Sequence, residues 1–361
     1  MKKRILAVLL GLTMTFSMVG CGTNDGDTTN EENTQKGAPE QSVVRWNYGT
    51  SGNVLITIAN EKGYFEEEGI TIKPVAADEN NDAMSLLQTG KVDVVSNAGT
   101  STPLQQIAAG MDFTLFGGHM VNGCMPIVAK EGAEWNGVES LVGKKFACNT
   151  SYFALTGAVM DAVGGDPFEA VEWVTYNSYN DALAAVIRGE VDYALMGTGQ
   201  NYAVKEELAD KVDIVAYQSE IMPNYSCCRM LAQTEWVDEN PNTVKAVIRA
   251  LLRAQSYYEA NKEEAVSMHA EAIDATEDYV AAYMLDDEHY TVSVDPLQNS
   301  VVRAWGILGE TGLLDGNDVD ILDHINTSLY EEALAEAAEK YGEEAPKFYE
   351  NMKTFFEENN K

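Results

Sequence analysis

The side chains of this chain that fall where a small molecule can be held are amides, hydroxyls and aromatic rings. They are Trp46, Asn47, Tyr48, Ser51 and Asn53, then Asn97 and Thr100, then Asn149, Ser151, Tyr152 and Phe153, and finally Tyr179 and Thr198. His119 is the one histidine and Arg229 the one arginine suitably placed beside them. Such groups hydrogen-bond and stack. The chain carries no Gly-x-Ser-x-Gly elbow, zinc-binding helix motif or phosphate loop, and Gly197-Thr198-Gly199 lacks the rest of a dinucleotide fingerprint. Its 4 histidines are scattered and no Cys-x-x-Cys occurs, so no metal, no cofactor and no enzyme is expected.

Each candidate also has a plain structural use. Ser51, Thr100 and Thr198 can cap helices, and Trp46, Tyr48, Tyr152, Phe153 and Tyr179 can be core or hinge packing. Arg229 can pair with an acidic neighbour as a hinge salt bridge, and His119 can be a satisfied loop histidine. Two ligand classes stay open. A small anion can be held by neutral donors at helix N-termini, each end contributing about 0.3–1 kcal/mol. A flat heteroaromatic ring would stack on the aromatic side chains, gaining about 0.5–1.5 kcal/mol beyond its buried area. The acidity of the chain and its single suitable arginine tilt the balance toward the ring.

The candidates matter because of the elements that carry them. Asn81-Asp82-Ala83 leads through an apolar helical stretch to Gly90-Lys91-Val92-Asp93, and Asn180-Asp181-Ala182 leads similarly to Gly189-Glu190-Val191-Asp192. In each copy the Asp can cap a helix, the Gly can end it in a left-handed conformation, and the Val-Asp pair opens a strand. Strands are expected earlier in each copy, over 43–48 and 70–75 and over 145–148 and 171–176. Thr50-Ser51 and Thr150-Ser151 precede the first helix of each. Each unit is therefore strand, helix, strand, helix, strand, with right-handed crossovers. Loops after the strands line the crevice in such α/β sheets, and the candidate segments 46–53, 96–101, 116–122, 149–153, 177–181 and 197–198 close or follow an expected strand, with Arg229 at the return crossing.

The run Trp46-Asn47-Tyr48-Gly49 through Lys62-Gly63-Tyr64-Phe65-Glu66-Glu67-Glu68-Gly69-Ile70 resembles the opening of a known family, as does Leu87-Gln88-Thr89-Gly90-Lys91-Val92-Asp93. It is that of the solute-binding proteins of ABC importers in the nitrate, sulfonate, taurine and thiamine-precursor group. Similarity extends over roughly 43–237, and Val138 to Lys145 looks like the lead into a second lobe. The resemblance implies an α/β periplasmic-binding-protein fold of type II, with two chain crossings between lobes. Lobe one would comprise 42–125 plus 230–361 with helices at its C-terminal end, and lobe two 126–229. The crossings are expected near 125–130 and 226–231, and the acidic helical tail after Tyr330 is not needed by the family core. It further implies a small-molecule ligand closed between the lobes, an ABC permease and its ATPase as partners, and a monomer. A ligand-sensing co-receptor for a membrane signalling protein is the alternative. A related fold includes a thiamine-precursor synthase with a cysteine-rich motif and a histidine. Cys227-Cys228 is too little of that motif, and an exported compartment is the wrong one.

Export is read from the start of the chain. Lys2, Lys3 and Arg4 precede an apolar run ending at Gly20-Cys21, the layout of a bacterial secretory signal over 1–20. Met18-Val19-Gly20-Cys21 resembles a lipobox, so Cys21 is the expected lipidation site and the only membrane contact, on the outer face of the cytoplasmic membrane. Residues 21–41 hold no Val, Ile, Leu or aromatic residue and read as a flexible leash. The net charge is −33, and removal of the three basic residues of the signal makes it −36, which excludes nucleic acid as a partner. Cys124, Cys148, Cys227 and Cys228 are expected as buried free thiols.

Overall fold

Two copies of one strand–helix–strand–helix–strand unit build two separate sheets. A computed structural model describes residues 37–49, 52–77, 82–314 and 318–361; the expected signal, Cys21 and Ser51 lie outside the described residues. The strands in chain order are β1 (Val43–Asn47), β2 (Thr71–Pro74), β3 (Val94–Gly99), β4 (Phe113–Gly118), β5 (Met120–Gly123) and β6 (Pro126–Lys130). They continue as β7 (Lys145–Ala147), β8 (Glu172–Val174), β9 (Tyr193–Leu195), β10 (Val212–Tyr217), β11 (Cys228–Gln233) and β12 (Tyr290–Val292). The first sheet has the order β2-β1-β3-β11-β4 and the second β10-β6-β9-β7-β8, while β12 pairs with β5 as a small ribbon. Within each, the repeat strands run parallel, β1 with β2 and β3, β7 with β8 and β9. β11 and β6 are the antiparallel insertions.

The repeat has a shared physical anchor. Asp93 accepts the backbone N–H of Arg45 at 2.7 Å, and Asp192 accepts that of Lys145 at 2.9 Å, so the same carboxylate ties the same strand in each copy. Gly90 (φ 64°) and Gly189 (φ 73°) take the left-handed position that ends the preceding helix. Asp82 caps the helix Ala83–Gln88 through Ser85 N–H at 2.9 Å. In the second copy the cap is Ser178 and not Asp181: the helix Tyr179–Arg188 begins earlier, and Ser178 accepts the N–H of Asp181 at 3.1 Å. An extended backbone at Ser178 (φ −144°, ψ 155°) places its hydroxyl over the first turn.

The crossings are shorter in one case and longer in the other than the sequence suggests. Pro126–Lys130 and Cys228–Gln233 are themselves strands because their apolar residues are buried within the sheets, so the chain crosses over 124–125 and returns over 218–227. Both links carry non-glycine residues at positive φ: Cys124 (47°), Asn224 (50°) and Ser226 (61°).

The 20-residue helix Pro241–Ala260 packs across the helices Val54–Glu61 and Ser328–Tyr341 and closes the first sheet's core. The tail is part of that core. Tyr330, Ala333 and Ala337 are buried, and Lys340 and Tyr341 reach the buried carboxylate of Glu68, which also receives Arg249 Nε at 2.7 Å. Burial alone would raise the Glu68 carboxyl, but hydrogen bonds from Arg249, Tyr341 and Lys340 outweigh it and hold the group below its usual range. The expected leash also ends sooner than residue 41. Glu40 accepts the N–H groups of Asn242 (3.1 Å) and Thr243 (2.8 Å) at the start of the long helix, and Gln41 accepts Trp236 Nε1 at 2.9 Å. Unpaired N–H groups at a helix start reward an acidic side chain, whatever its apolar content.

Candidate functional site

The carboxyl ends of the two sheets face each other, and the side chains there are already in contact. Ser101 Oγ, at the start of the helix Ser101–Ala108, donates to the carbonyl of Ser151 at 2.5 Å. Phe153 and Ala154 join Leu104, Ile107, Val301 and Ala304 in one apolar cluster. Lys205 pairs with Asp286 at 3.0 Å on another rim of the cleft. At Gly157 an added Cβ would stand 2.9 Å from Ile307 Cδ1, so the helices Phe153–Val163 and Gln298–Glu310 meet where a side chain is missing. The helices beside the two sheets thus touch across the cleft.

A cavity of about 560 Å³ lies inside it. Of the residues singled out from sequence, Asn97, Thr100, His119, Asn149, Ser151, Tyr152, Phe153, Tyr179 and Thr198 stand on its wall. The phenols of Tyr152 and Tyr179 meet at 2.5 Å and separate this cavity from a smaller one of about 220 Å³ against the second sheet. Burial, and then the neighbouring Tyr179, push the Tyr152 phenol well above its usual range, so both rings are neutral donors. Thr100 and Thr198 are not caps. Thr100 donates to the Ser226 carbonyl of the return crossing and Thr198 to the Gly123 carbonyl at the end of β5.

Five of the sequence candidates are elsewhere. Trp46 is fully buried beneath the first sheet and donates Nε1 to Ser96 Oγ at 3.1 Å. Asn47 donates to the Val75 carbonyl at 2.8 Å, and Asn53 caps the helix Val54–Glu61 through Leu55 N–H at 3.0 Å. Tyr48 packs against the first lobe's core. These four belong to strand β1 and the turn after it, whose side chains turn into the fold. Arg229 is fully buried away from the cavity wall, donating to the carbonyls of Asp295 (2.6 Å) and Met120 (2.8 Å), and among the described residues it makes no hinge salt bridge. Gly118 is required beside it, because a Cβ there would lie 2.2 Å from Arg229 Nη1. Burial brings the Arg229 guanidinium down to about 10 and lifts the Asp295 carboxyl to about 6.

His119 is the distinctive group of the wall. It is 2% exposed, and neither ring nitrogen has a partner among the described residues. Burial, helped by the charges of His269 and Arg229, lowers it to about 3, so the imidazole is neutral, with one donor and one acceptor. Asn97 Oδ1 and Gln218 Oε1, also on the wall, are buried acceptors without partners. A buried polar atom left unmatched costs about 1–3 kcal/mol, so these are the atoms a ligand would satisfy.

Sequence reasoning missed a second half of the wall: Gln218, Tyr225, His269, Tyr279, Tyr283 and Tyr290. His269 comes from the helix Lys262–Ala272, where Thr57 Oγ1 meets its Nδ1 at 3.1 Å. These residues lie in the return crossing, the C-terminal helices and strand β12, outside the repeat, where a tyrosine reads as core. Among the described residues of the wall there is no Asp, Glu, Lys or Arg.

The NMT1/THI5-like family profile matches residues 53–265. The chain belongs to that family. The periplasmic aliphatic sulphonate binding protein SsuA from Escherichia coli is 19% identical, with a TM-score of 0.65 over 80% of this chain and 92% of that one. The periplasmic nitrate-binding protein NrtA from Synechocystis PCC 6803 is 15% identical, with a TM-score of 0.64 over 84% and 90%. The chain therefore has the periplasmic-binding-protein fold. A curated relative from Schizosaccharomyces pombe, 23% identical over 58% of this chain, is named as a 4-amino-5-hydroxymethyl-2-methylpyrimidine phosphate synthase. The match spans 62% of that relative's length. That finding corrects the expectation that no enzyme belongs here: relatives in the same family are named as one. That expectation rests on the absence of hydrolytic, zinc and nucleotide motifs and on taking Cys227-Cys228 as too little of the synthase's cysteine-rich motif. Cys227, Cys228 and His119, set aside or weighed separately in the sequence, share the wall of one cavity.

Proposed function

We propose that this chain is an exported, lipid-anchored receptor that closes its two lobes around a neutral heteroaromatic ring of the pyrimidine kind and presents it to an ABC permease. One observation carries the reading: the cavity wall is built from phenols, amides, hydroxyls, thiols and imidazoles, with no Asp, Glu, Lys or Arg among its described residues. An anion held there would lose its water with no lysine or arginine on the wall to pair with it, a cost that is severe for an unpaired buried charge. A ring with an exocyclic amine or hydroxyl would donate to Asn97 Oδ1 and Gln218 Oε1 and exchange a hydrogen bond with His119. Tyr152, Phe153 and Tyr179 supply faces for stacking. The pyrimidine in the name of the fungal relatives belongs to this chemical class. Lobe one, as 42–125 plus 230–361, and lobe two, as 126–229, would move about the two crossings, with Cys21 holding the receptor to the membrane.

The test is a thermal-shift comparison of 4-amino-5-hydroxymethyl-2-methylpyrimidine, ethanesulfonate and nitrate on the purified protein. A ligand present at about 100 times its Kd stabilises the native state by about 2.7 kcal/mol. The pyrimidine should raise the melting temperature and the two anions should not. A shift with an anion alone would overturn the reading.

A further inference from the structure

Cys227 and Cys228 are adjacent in sequence, lie at the junction between the return crossing and β11, and both stand on the cavity wall. Cys228 Sγ points its hydrogen at Cys227 Sγ across 3.7 Å. Cys227 touches the apolar clusters of both lobes, and its sulfur lies close to Gly123 of the opposite crossing and to the phenol of Tyr225. Behind the pair the backbone is held in an unusual conformation, with Ser226 at φ 61°. All four described cysteines are free, so this is a reduced dithiol set in the wall of a ligand cavity.

We infer that Cys227 and Cys228 form an oxidation site at which a hydroperoxide drawn into the cavity converts the dithiol to a reversible disulfide and disables ligand binding. Cys227 is the attacking sulfur. It is the more exposed of the two, and the hydrogen bond from Cys228, with that from Tyr225, holds its thiol below the usual range, whereas Cys228 is raised well above it. The Cys227 thiolate attacks the outer oxygen of the peroxide, the O–O bond breaks, and the departing alkoxide takes up a proton to leave as the alcohol. Cys227 is then a sulfenic acid. Cys228 attacks its sulfur, the S–O bond breaks, the thiol proton leaves with the hydroxyl as water, and the S–S bond forms. Two thiols and one hydroperoxide give one disulfide, one alcohol and one water.

The geometry couples that bond to the ligand site. Adjacent α-carbons are about 3.8 Å apart, below the usual disulfide range of about 4.4–6.8 Å. Bringing the sulfurs together must therefore rotate the peptide group between the two residues. That group carries the Cys227 carbonyl, which accepts the N–H of Thr100 at 3.1 Å. The neighbouring Cys228 carbonyl accepts that of His119 at 3.3 Å. Both partners stand on the cavity wall. A ring so strained is also readily reduced, which makes the change reversible.

The disulfide stands apart from the ligand proposal, whereas its effect on binding rests on that proposal, so the test has two readouts. The reduced protein is treated with hydrogen peroxide and followed by intact mass and by mapping of the peptide that ends at Arg229. A loss of about 2 Da mapped to Cys227 and Cys228, and reversed by a thiol reductant, is expected. Cys228→Ser should stop at the sulfenic acid, about 16 Da heavier and trapped by dimedone, and Cys227→Ser should not lose the 2 Da. In the wild type the oxidised form should bind 4-amino-5-hydroxymethyl-2-methylpyrimidine about tenfold more weakly than the reduced form. Both sulfurs remaining open to a thiol reagent after peroxide, or a disulfide mapped to Cys124 or Cys148, would overturn the site. A disulfide at 227–228 with unchanged binding of a pyrimidine that does bind the reduced protein would overturn the coupling. A pyrimidine that binds neither form would refute the ligand proposal and leave the mass result to decide the site.

Discussion

Replacing His119 with leucine should make the protein more stable and a poorer binder. The imidazole is 2% exposed with neither nitrogen partnered among the described residues, so its removal relieves about 1–3 kcal/mol of unmatched polar burial and leaves a side chain of similar size. Its titration adds a pH signature. The folded value is about 3 against an ordinary 6.5, so below 6.5 the unfolded chain takes a proton that the native protein refuses. The stability tied to neutral His119 is therefore whole above 6.5 and is lost as pH falls through that window toward 3. Between about pH 7.5 and about pH 5 the loss is about 2 kcal/mol, and the leucine variant does not suffer it. Asp295, raised to about 6, has the opposite slope, but it is present in both proteins and cancels in the comparison. Urea unfolding at the two pH values should show the variant at least as stable at the higher pH and further ahead by about 2 kcal/mol at the lower. Affinity for the pyrimidine should fall about tenfold. A variant less stable by the same amount at both pH values would refute the reasoning, since His119 would then be a partnered structural residue.

Trp46→Ala should cost about 3–5 kcal/mol of stability, read by urea unfolding, with no loss of affinity while the variant is folded, because Trp46 is core and does not reach the cavity. Arg229→Gln should destabilise by about 2–3 kcal/mol, since one amide cannot satisfy both the Asp295 and Met120 carbonyls, and binding should remain insensitive to salt. Gly157→Leu places a side chain against Ile307 where the lobes meet. Small-angle scattering should report a more open protein, and affinity should fall about tenfold for about 1.4 kcal/mol of disfavoured closure, while thermal stability without ligand holds.

The repeat was legible because turn chemistry is local: Asp82, Gly90 and Gly189 act within a few residues of their own helices. What Asp93 and Asp192 do could not be read, since their shared bond to the first strand joins residues nearly fifty apart. Half of the cavity wall followed from the rule that loops after strands line the crevice, and that rule also misplaced Trp46 and Asn53. A residue at the end of a strand can face the crevice or the core, and one-sided burial decides which. Tyr279, Tyr283 and Tyr290 escaped notice for the same reason in reverse: on an apolar helix face or a short strand a tyrosine looks like packing, and only the tertiary fold turns it toward the cavity. Arg229 was weighed as a ligand or ion-pair residue because an arginine announces charge, whereas its partners here are backbone carbonyls invisible to any side-chain pattern.

Titration calorimetry at low and high salt tests the central claim most directly, with 4-amino-5-hydroxymethyl-2-methylpyrimidine and ethanesulfonate each added to the reduced protein. A cavity lined without Asp, Glu, Lys or Arg should bind the pyrimidine at one site per chain, with an affinity that hardly changes between about 0.05 and about 0.5 M salt. Saturable binding of the sulfonate that weakens with salt, with no heat from the pyrimidine, would contradict it.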